Sequence, residues 1–308
     1  MSVEKLLYIS ALIILTIVLT SIYHNASRGW SDPYKYIKYS LYLRGEFPRD
    51  GLMQPFVYRP LTPLLAAFLP WDLWENFYIV NTVFILATEY LLYLFLRGLG
   101  FSLRESIVGV LFFLISFPTL NYLNQPLTDA SGFFFLMAGI IAIWRRSDWV
   151  YVALALGAIA RPSTLVLIPL VLLERRRFSQ RDALFLLPLI ELSLLYTYFH
   201  DIPWHFAPGK SFESPARILL VFILSFIPML FFWTVAALNH RLWLPQIRRD
   251  GALSFLINCF LATSIIVISS IIIASFDGRF LVVYYPVAIP LTLYGLRYTL
   301  TEDILNLG

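Results

Sequence analysis

Cysteine, charge and histidine are all scarce in this 308-residue chain. The single cysteine, Cys259, excludes an internal disulfide and any multi-cysteine metal site. Charged residues make up 14% of the chain, against roughly a quarter in soluble domains, which places it outside the soluble globular range. Four motifs are missing: the Gly-x-x-x-x-Gly-Lys phosphate loop, Gly-x-Gly-x-x-Gly, His-Glu-x-x-His and Gly-x-Ser-x-Gly. A nucleotide donor, a zinc-protease site and a serine-hydrolase elbow therefore have no sequence basis. The 23 basic residues are dispersed over short loops, without the aromatic-interleaved basic stripe that nucleic acid calls for. No long polar segment is left over for a separate soluble domain, so 1–308 reads as one transmembrane domain.

What the chain has in abundance is oil. Apolar residues make up 59% and aromatics 17%, with a mean hydropathy of +0.74. Repeated apolar runs of about 17–25 residues are what a hydrocarbon layer of about 30 Å demands of helices. The expected fold is all-α and polytopic, with about 9 to 11 membrane helices. Spans are expected at 6–23 (a retained first helix rather than a cleaved leader), 73–96, 130–144, 183–199, 217–238, 252–275 and 281–299, with shorter pieces between them. Residues 24–59 form the first outer loop, where Tyr34, Tyr36, Ile37, Tyr39, Leu41 and Leu43 trace a short amphipathic helix lying in the interface. A shorter helix at 105–117 stops at Pro118, and a polar turn, Asn121–Asp129, follows.

One unit departs from full spans. Trp149–Ala160 is long enough for only about 18 Å of helix before Arg161-Pro162 breaks it. Ser163–Leu173 then returns toward Arg175-Arg176-Arg177. This predicts a half-depth hairpin that enters and leaves on one side. Counting alternate sides, Lys5, Arg97, Arg104, Arg145, Arg146, Arg175 to Arg177, Arg181, Arg241, Arg248 and Arg249 share one face. By the positive-inside rule that face, with the N-terminus, is cytoplasmic.

The opposite face collects the chemistry-bearing residues: Asp32, Tyr58-Arg59-Pro60, Asp129, Arg161-Pro162, His200 to Arg217, and Asp277-Gly278-Arg279. Ionisable groups and helix breaks at membrane depth need buried protein or a watery cavity around them. Asp32, before Pro33, reads either as a helix cap or as a base that deprotonates an incoming hydroxyl. Arg59 reads as a snorkelling anchor or a phosphate clamp. Arg161 faces an anion or pairs with Asp129 or Asp277. Asp129 reads as a cap of the helix that follows, and Arg279 as a turn residue or a cation for phosphate. His200, His205 and Lys210, with Trp204 and Phe206, occupy one loop, where two histidines also fit a metal. Glu89 and Glu191 fall within spans, where a paired or interfacial acid is expected.

In their order along the chain these segments resemble the GT-C superfamily of integral membrane glycosyltransferases. The segments are Asp32-Pro33-Tyr34, Leu43-Arg44-Gly45-Glu46-Phe47-Pro48, Tyr58-Arg59-Pro60-Leu61-Thr62-Pro63-Leu64, Thr128-Asp129, Gly157-Ala158-Ile159-Ala160-Arg161-Pro162 and Gly278-Arg279-Phe280 with Tyr285-Pro286. The resemblance implies a polyprenyl-phosphate sugar donor and transfer to a lipid, glycan or protein acceptor on the extracytoplasmic side. It makes Asp32 the catalytic base or metal ligand, and Arg59, Arg161 and Arg279 the holders of the donor phosphate. Tyr58, Asp129, His205 and Lys210 support them, and the amphipathic helix is a lid. Many members carry a paired acidic motif in the first loop, whereas Asp32 stands apart from Glu46 and Asp50, which leaves a divalent metal open. Two other readings of the same residues stay open: a lipid or phosphosugar transporter, and a GT-C-like assembly subunit without activity.

Overall fold

The computed structural model describes residues 3–26, 31–123, 125–174, 180–203, 215–238, 240, 244, 251–273 and 278–306. Among them every regular element is helical. The helices are α1 (Val3–Ala26), α2 (Ser31–Leu43), α3 (Leu61–Phe68), α4 (Leu73–Gly98), α5 (Leu103–Leu114), α6 (Asp129–Trp144), α7 (Trp149–Ala160), α8 (Leu167–Glu174), α9 (Leu186–Phe199), α10 (Pro215–Leu238), α11 (Ala252–Ile273) and α12 (Tyr285–Asn306). Two segments are long and apolar enough to cross a membrane: Leu6–His24, mean hydropathy 2.3, and Leu73–Gly98, mean hydropathy 1.8. The other apolar helical stretches among the described residues run 10–17 residues. His205, Lys210, Trp204, Phe206, Arg175 to Arg177, Arg241, Arg248, Arg249 and Asp277 lie outside the described residues, as does the side chain of Arg279.

The chain divides into two compact units, Met1–Leu91 with Thr119–Glu213, and Leu92–Pro118 with Ser214–Gly308. In the first, α6 and α7 are joined by a turn in which Ser147 N–H donates to Ala142 O at 2.7 Å and Arg146 N–H to Ile143 O at 2.9 Å. These paired bonds satisfy the last carbonyls of α6, with Arg146 in the left-handed region (φ 52°) that glycine usually fills. α7 then runs back along α6 and stops at Arg161, because the residue before a proline is pushed out of the helical region and Pro162 offers no N–H. A 3-10 turn, Pro162–Val166, leads into α8.

Close approaches to α6 give the direction of the return. A Cβ on Gly132 would meet Arg161 at 2.7 Å, and one on Gly139 would run into Leu167. Phe135 of α6 meets Gly157 of α7. The chain thus passes α6 in one sense up to Arg161 and in the other sense through α8. The reversal expected at the Arg161-Pro162 break is present, packed on α6 through two glycines that leave room for close approach.

The first loop is tied down rather than loose. The Ser40 hydroxyl donates to Pro63 O at 2.9 Å, and the Arg44 guanidinium donates to Ala67 O at 3.0 Å and Leu69 O at 2.7 Å, satisfying carbonyls at the end of α3. Further along, Arg49 grips both carboxylate oxygens of Asp201 at 2.9 and 2.8 Å and lies over the Tyr198 ring. Tyr39, Leu52, Val57, Phe199 and Ile202 form one buried cluster, so the loop is welded to the end of α9. The expected lid is a docked helix with one face buried.

In the second unit α12 packs on α10, α11 and α5. Phe113, Phe232 and Tyr285 meet edge to face, with centroids 5.8–6.1 Å apart. The late segment differs from expectation: Gly278–Tyr284 is a 3-10 turn and the α-helix starts only at Tyr285, with Pro286 at its second position, where a missing N–H costs nothing. α5 starts earlier than expected, because Ser102 and Glu105 form a reciprocal capping box. The Glu105 carboxylate also accepts from Arg297 of α12, at 2.7 Å for one of two bonds.

The Arg297 hydrogen bonds, with the Ser102 N–H, hold the Glu105 carboxyl down at about 2 from the usual 4.5. A depressed acid stabilises the fold fully above its unfolded value, and that contribution fades as pH falls from about 4.5 toward 2. Glu105→Gln is therefore expected to lower the stability of the second unit by about 1–2 kcal/mol at neutral pH, discounted for partial exposure. The gap from the parent should close on acidification, as followed by thermal unfolding in detergent at stepped pH. A gap that stays constant from pH 7 to 3 contradicts the linkage.

Candidate functional site

The site is built where α2, the Phe56–Tyr58 turn and the start of α6 meet in the first unit. α2 places Asp32 in its first turn and Tyr36 one turn later on the same face. Tyr36 is 1% exposed, packs with Phe56, Ala66, Phe77 and Leu127, and meets the Phe56 ring edge to face at 5.1 Å. Burying a tyrosine this deeply requires partners for its hydroxyl. Two are present: Arg59 donates to it through a terminal guanidinium nitrogen at 2.7 Å, and the Thr128 hydroxyl lies at 3.4 Å.

Arg59 follows the short 3-10 turn Phe56–Tyr58, which brings its guanidinium back toward α2. It is half-buried, and its Nε is buried without a hydrogen-bond partner among the described residues. Among the described residues no carboxylate lies within ion-pair distance of it. Beside it, burial first and the Tyr196 ring second hold the Tyr58 phenol above its usual range. Asp32 is engaged by Lys35 at 3.3 Å, with about a third of its side chain exposed. Lys35 in turn stands 4.8 Å over the Phe56 ring, so its ammonium is shared between a carboxylate and a π face.

Arg161 and Asp129 form a buried ion pair, with side chains 10% and 7% exposed. Of the partners proposed from sequence, this settles Arg161 on Asp129. It also changes the reading of Asp129: Thr128, not Asp129, occupies the N-cap position, and no side chain caps α6 there. The carboxylate that sequence logic assigns to the cap goes to the hairpin tip instead, while the Thr128 hydroxyl turns to Tyr36. Arg161 is anchored further by its backbone, its carbonyl accepting from the Thr164 N–H and hydroxyl, each at 3.0 Å.

Asp32, Arg59, Asp129 and Arg161 thus belong to one neighbourhood, linked through Tyr36 and Thr128. Arg279 belongs to the second unit. His200, from the proposed two-histidine loop, bonds the Thr197 carbonyl of its own helix at 2.8 Å. Glu89 is buried against the Thr16 hydroxyl, which reaches both carboxyl oxygens at 2.9 Å. Among the described residues no three His, Cys, Asp or Glu side chains gather as a metal cluster. Tyr36 is the residue that sequence reasoning passed over. Its signal was present as a tyrosine at i+4 from Asp32, read only as part of an aromatic interfacial stripe.

No protein-family model, curated protein or solved structure matches the chain.

Removing one partner of a buried ion pair strands the other charge, which costs about 3–5 kcal/mol. Arg161→Ala is expected to lose that much stability. The double change Arg161→Leu with Asp129→Leu should recover most of it, because neither charge is then left alone. Thermal unfolding of the two purified variants in detergent is the check, and a double variant no better than Arg161→Ala refutes a direct pairing.

Proposed function

We propose that this chain is a polytopic membrane glycosyltransferase of the GT-C kind, which moves a sugar from a polyprenyl-phosphate donor to an acceptor hydroxyl on the extracytoplasmic side. The observation that carries the reading is Arg59, a half-buried guanidinium held by a tyrosine hydroxyl and matched to no carboxylate among the described residues. A cation built in that way is suited to an anion that arrives with a ligand, and a planar guanidinium fits phosphate. Asp32 stands one helical turn from the tyrosine that holds it, about 6 Å along the helix axis. Base and phosphate clamp are thereby supported by a single rigid element.

The membrane setting is supported by apolar faces that the protein itself leaves uncovered. Leu7 is 65% exposed and Ile14 63% on α1, Leu194 is 65% exposed on α9, and Leu238 77% on α10. Apolar exposure on this scale is ordinary only against lipid or a partner. The Arg161–Asp129 pair stands at the start of α6, at the other end of that helix from Arg145-Arg146, and this separation supports the reading of an outer site over a basic inner face.

In the reaction, the acceptor oxygen attacks the anomeric carbon while the bond from that carbon to the phosphate oxygen breaks. The bonding electron pair leaves on the lipid phosphate, and Asp32 takes the proton of the acceptor hydroxyl. Arg59 stabilises the charge gathering on the leaving phosphate. Arg161 acts at one remove, fixing the start of α6 and so the Thr128 side of the Tyr36 hydroxyl.

Purified protein supplied with radiolabelled polyprenyl-phosphate hexoses and a lipid acceptor is expected to transfer label. Asp32→Asn should reduce the rate by about 100-fold or more, the usual worth of a positioned base. Arg59→Ala should raise the donor requirement and slow turnover, with partial recovery in Arg59→Lys. Full transfer by Asp32→Asn sinks the assignment of the base. Binding of the donor with neither transfer nor hydrolysis favours a carrier over an enzyme.

A further inference from the structure

We infer that three amide side chains beside the Arg59 site, Asn81, Asn121 and Gln125, form a subsite that reads the hydroxyls of the donor's sugar ring; this rests on the glycosyl-transfer reading above. Asn81 is 0% exposed and Gln125 1%. The Asn81 amide nitrogen donates to the carbonyls of Gln125 and Leu127, and the Gln125 amide nitrogen donates to Asn121 O at 2.7 Å. Those bonds fix which way the Asn81 and Gln125 amides point, because a flipped amide there would face carbonyl with carbonyl. With those two nitrogens committed, Asn81 Oδ1 and Gln125 Oε1 are buried acceptors with no hydrogen-bond partner among the described residues, and Asn121 Nδ2 is a buried donor with none among them. Leaving such groups unmatched costs about 1–3 kcal/mol each, so a cluster of them in one place calls for a function.

The backbone around them is also unusual. Thr119–Leu123, with Asn121 at its centre, is a π-turn, a rare form that is frequent at functional sites. The segment that follows leads directly to the cation. Leu127 packs with Tyr36 and Phe77, and Thr128 touches the Tyr36 hydroxyl that holds Arg59. Phe77 lies one turn before Asn81 on the same face of α4. Amides and guanidinium are therefore two ends of one continuous stretch of structure.

Two acceptors and one donor, all neutral, select the ligand class. A phosphate brings only acceptors and is repelled by Oδ1 and Oε1. A metal ion is repelled by the N–H donor, and an alkyl chain satisfies none of the three. A sugar hydroxyl both donates and accepts, and neighbouring ring hydroxyls meet such a set together. With the phosphate on Arg59, the sugar of a glycosyl-phosphate lipid is the part of the donor that remains to be recognised.

The test compares bare polyprenyl phosphate with polyprenyl-phosphate hexose as thermal stabilisers of the protein in nanodiscs. The expected result is a shift from the bare lipid phosphate, lost in Arg59→Ala, and a further increment from the hexose. Gln125→Met and Asn121→Ala should lose most of that increment and about tenfold in kcat/KM for the hexosyl donor, while keeping the bare-phosphate shift that certifies their fold. The parent protein supplies a check that needs no variant: among monodeoxy-hexosyl donors, at least one should lose the increment. If the increment survives in both variants, or in every monodeoxy donor, the amides hold only water and the inference is overturned. If neither lipid shifts the protein and Arg59→Ala changes nothing, the glycosyl-transfer reading itself has failed and this inference falls with it.

Discussion

A guanidinium cannot be shed of its proton, so an arginine drawn into an apolar bundle must be given a counter-charge or stay outside. The first unit rests on the way it meets that demand at Arg161. Pro162 ends α7 and leaves Arg161 extended at the hairpin tip, and Asp129 at the first position of α6 supplies the carboxylate. One ion pair therefore joins the tip of a broken helix to the start of its neighbour. Gly132, a turn into α6, makes room for the aliphatic stem of that arginine, since a Cβ there would sit 2.7 Å from it. Charge pairing, helix break and small residue form a single device, and each is meaningless without the other two.

From this joint the polar network runs outward through hydroxyl groups. Thr128 precedes Asp129 and turns to Tyr36; Tyr36 receives Arg59; Ser131, one turn on, shares a 2.6 Å hydrogen bond with Thr62 of α3. Neutral hydroxyls are suited to this role. They connect charged groups in a low-dielectric setting without adding charge of their own, and they donate or accept as the neighbour requires. The second unit is organised differently, by edge-to-face aromatics around Tyr285 and by one ion pair near its polar end between Arg297 and Glu105. The groups suited to chemistry are concentrated in the first unit among the described residues.

Helix breaks were the most readable part of the fold. Arg161-Pro162 announced the end of α7 because proline acts locally, through its ring and its missing N–H, whatever surrounds it. The capping box at Ser102 and Glu105 was equally open to reading as Ser-x-x-Glu, and taking it up would have moved the start of α5 back to Leu103. Partners were not readable in the same way. Asp129 looked like a cap because an acid before an apolar run usually is one, but the choice between a backbone N–H and an arginine 32 residues on is made by tertiary packing. Tyr36 was hidden for a related reason: in an amphipathic helix rich in tyrosine, sequence does not say which ring turns inward. Asn81, in an apolar run, and Gln125, in a polar turn, gave no signal, since an amide in either place stands out only once its oxygen is seen to be buried and unmatched.

Arg59 and Arg161, both in the first unit, show why the pairing matters for the proposed function. Both stand beside prolines, in Arg59-Pro60 and Arg161-Pro162, and sequence treats them alike. The structure divides them. Arg161 has an internal carboxylate and is nearly inaccessible, so an incoming phosphate would have to displace Asp129 and leave that acid buried without its counter-charge. Arg59 has a neutral hydroxyl in place of a carboxylate, so an anion adds an interaction without breaking one. In the reaction proposed above, a site that binds and releases a charged lipid on every turnover needs the second arrangement at the contact point and the first behind it. On that proposal the buried pair would keep the scaffold in place when the ligand leaves, and the half-buried cation would remain positioned for the next.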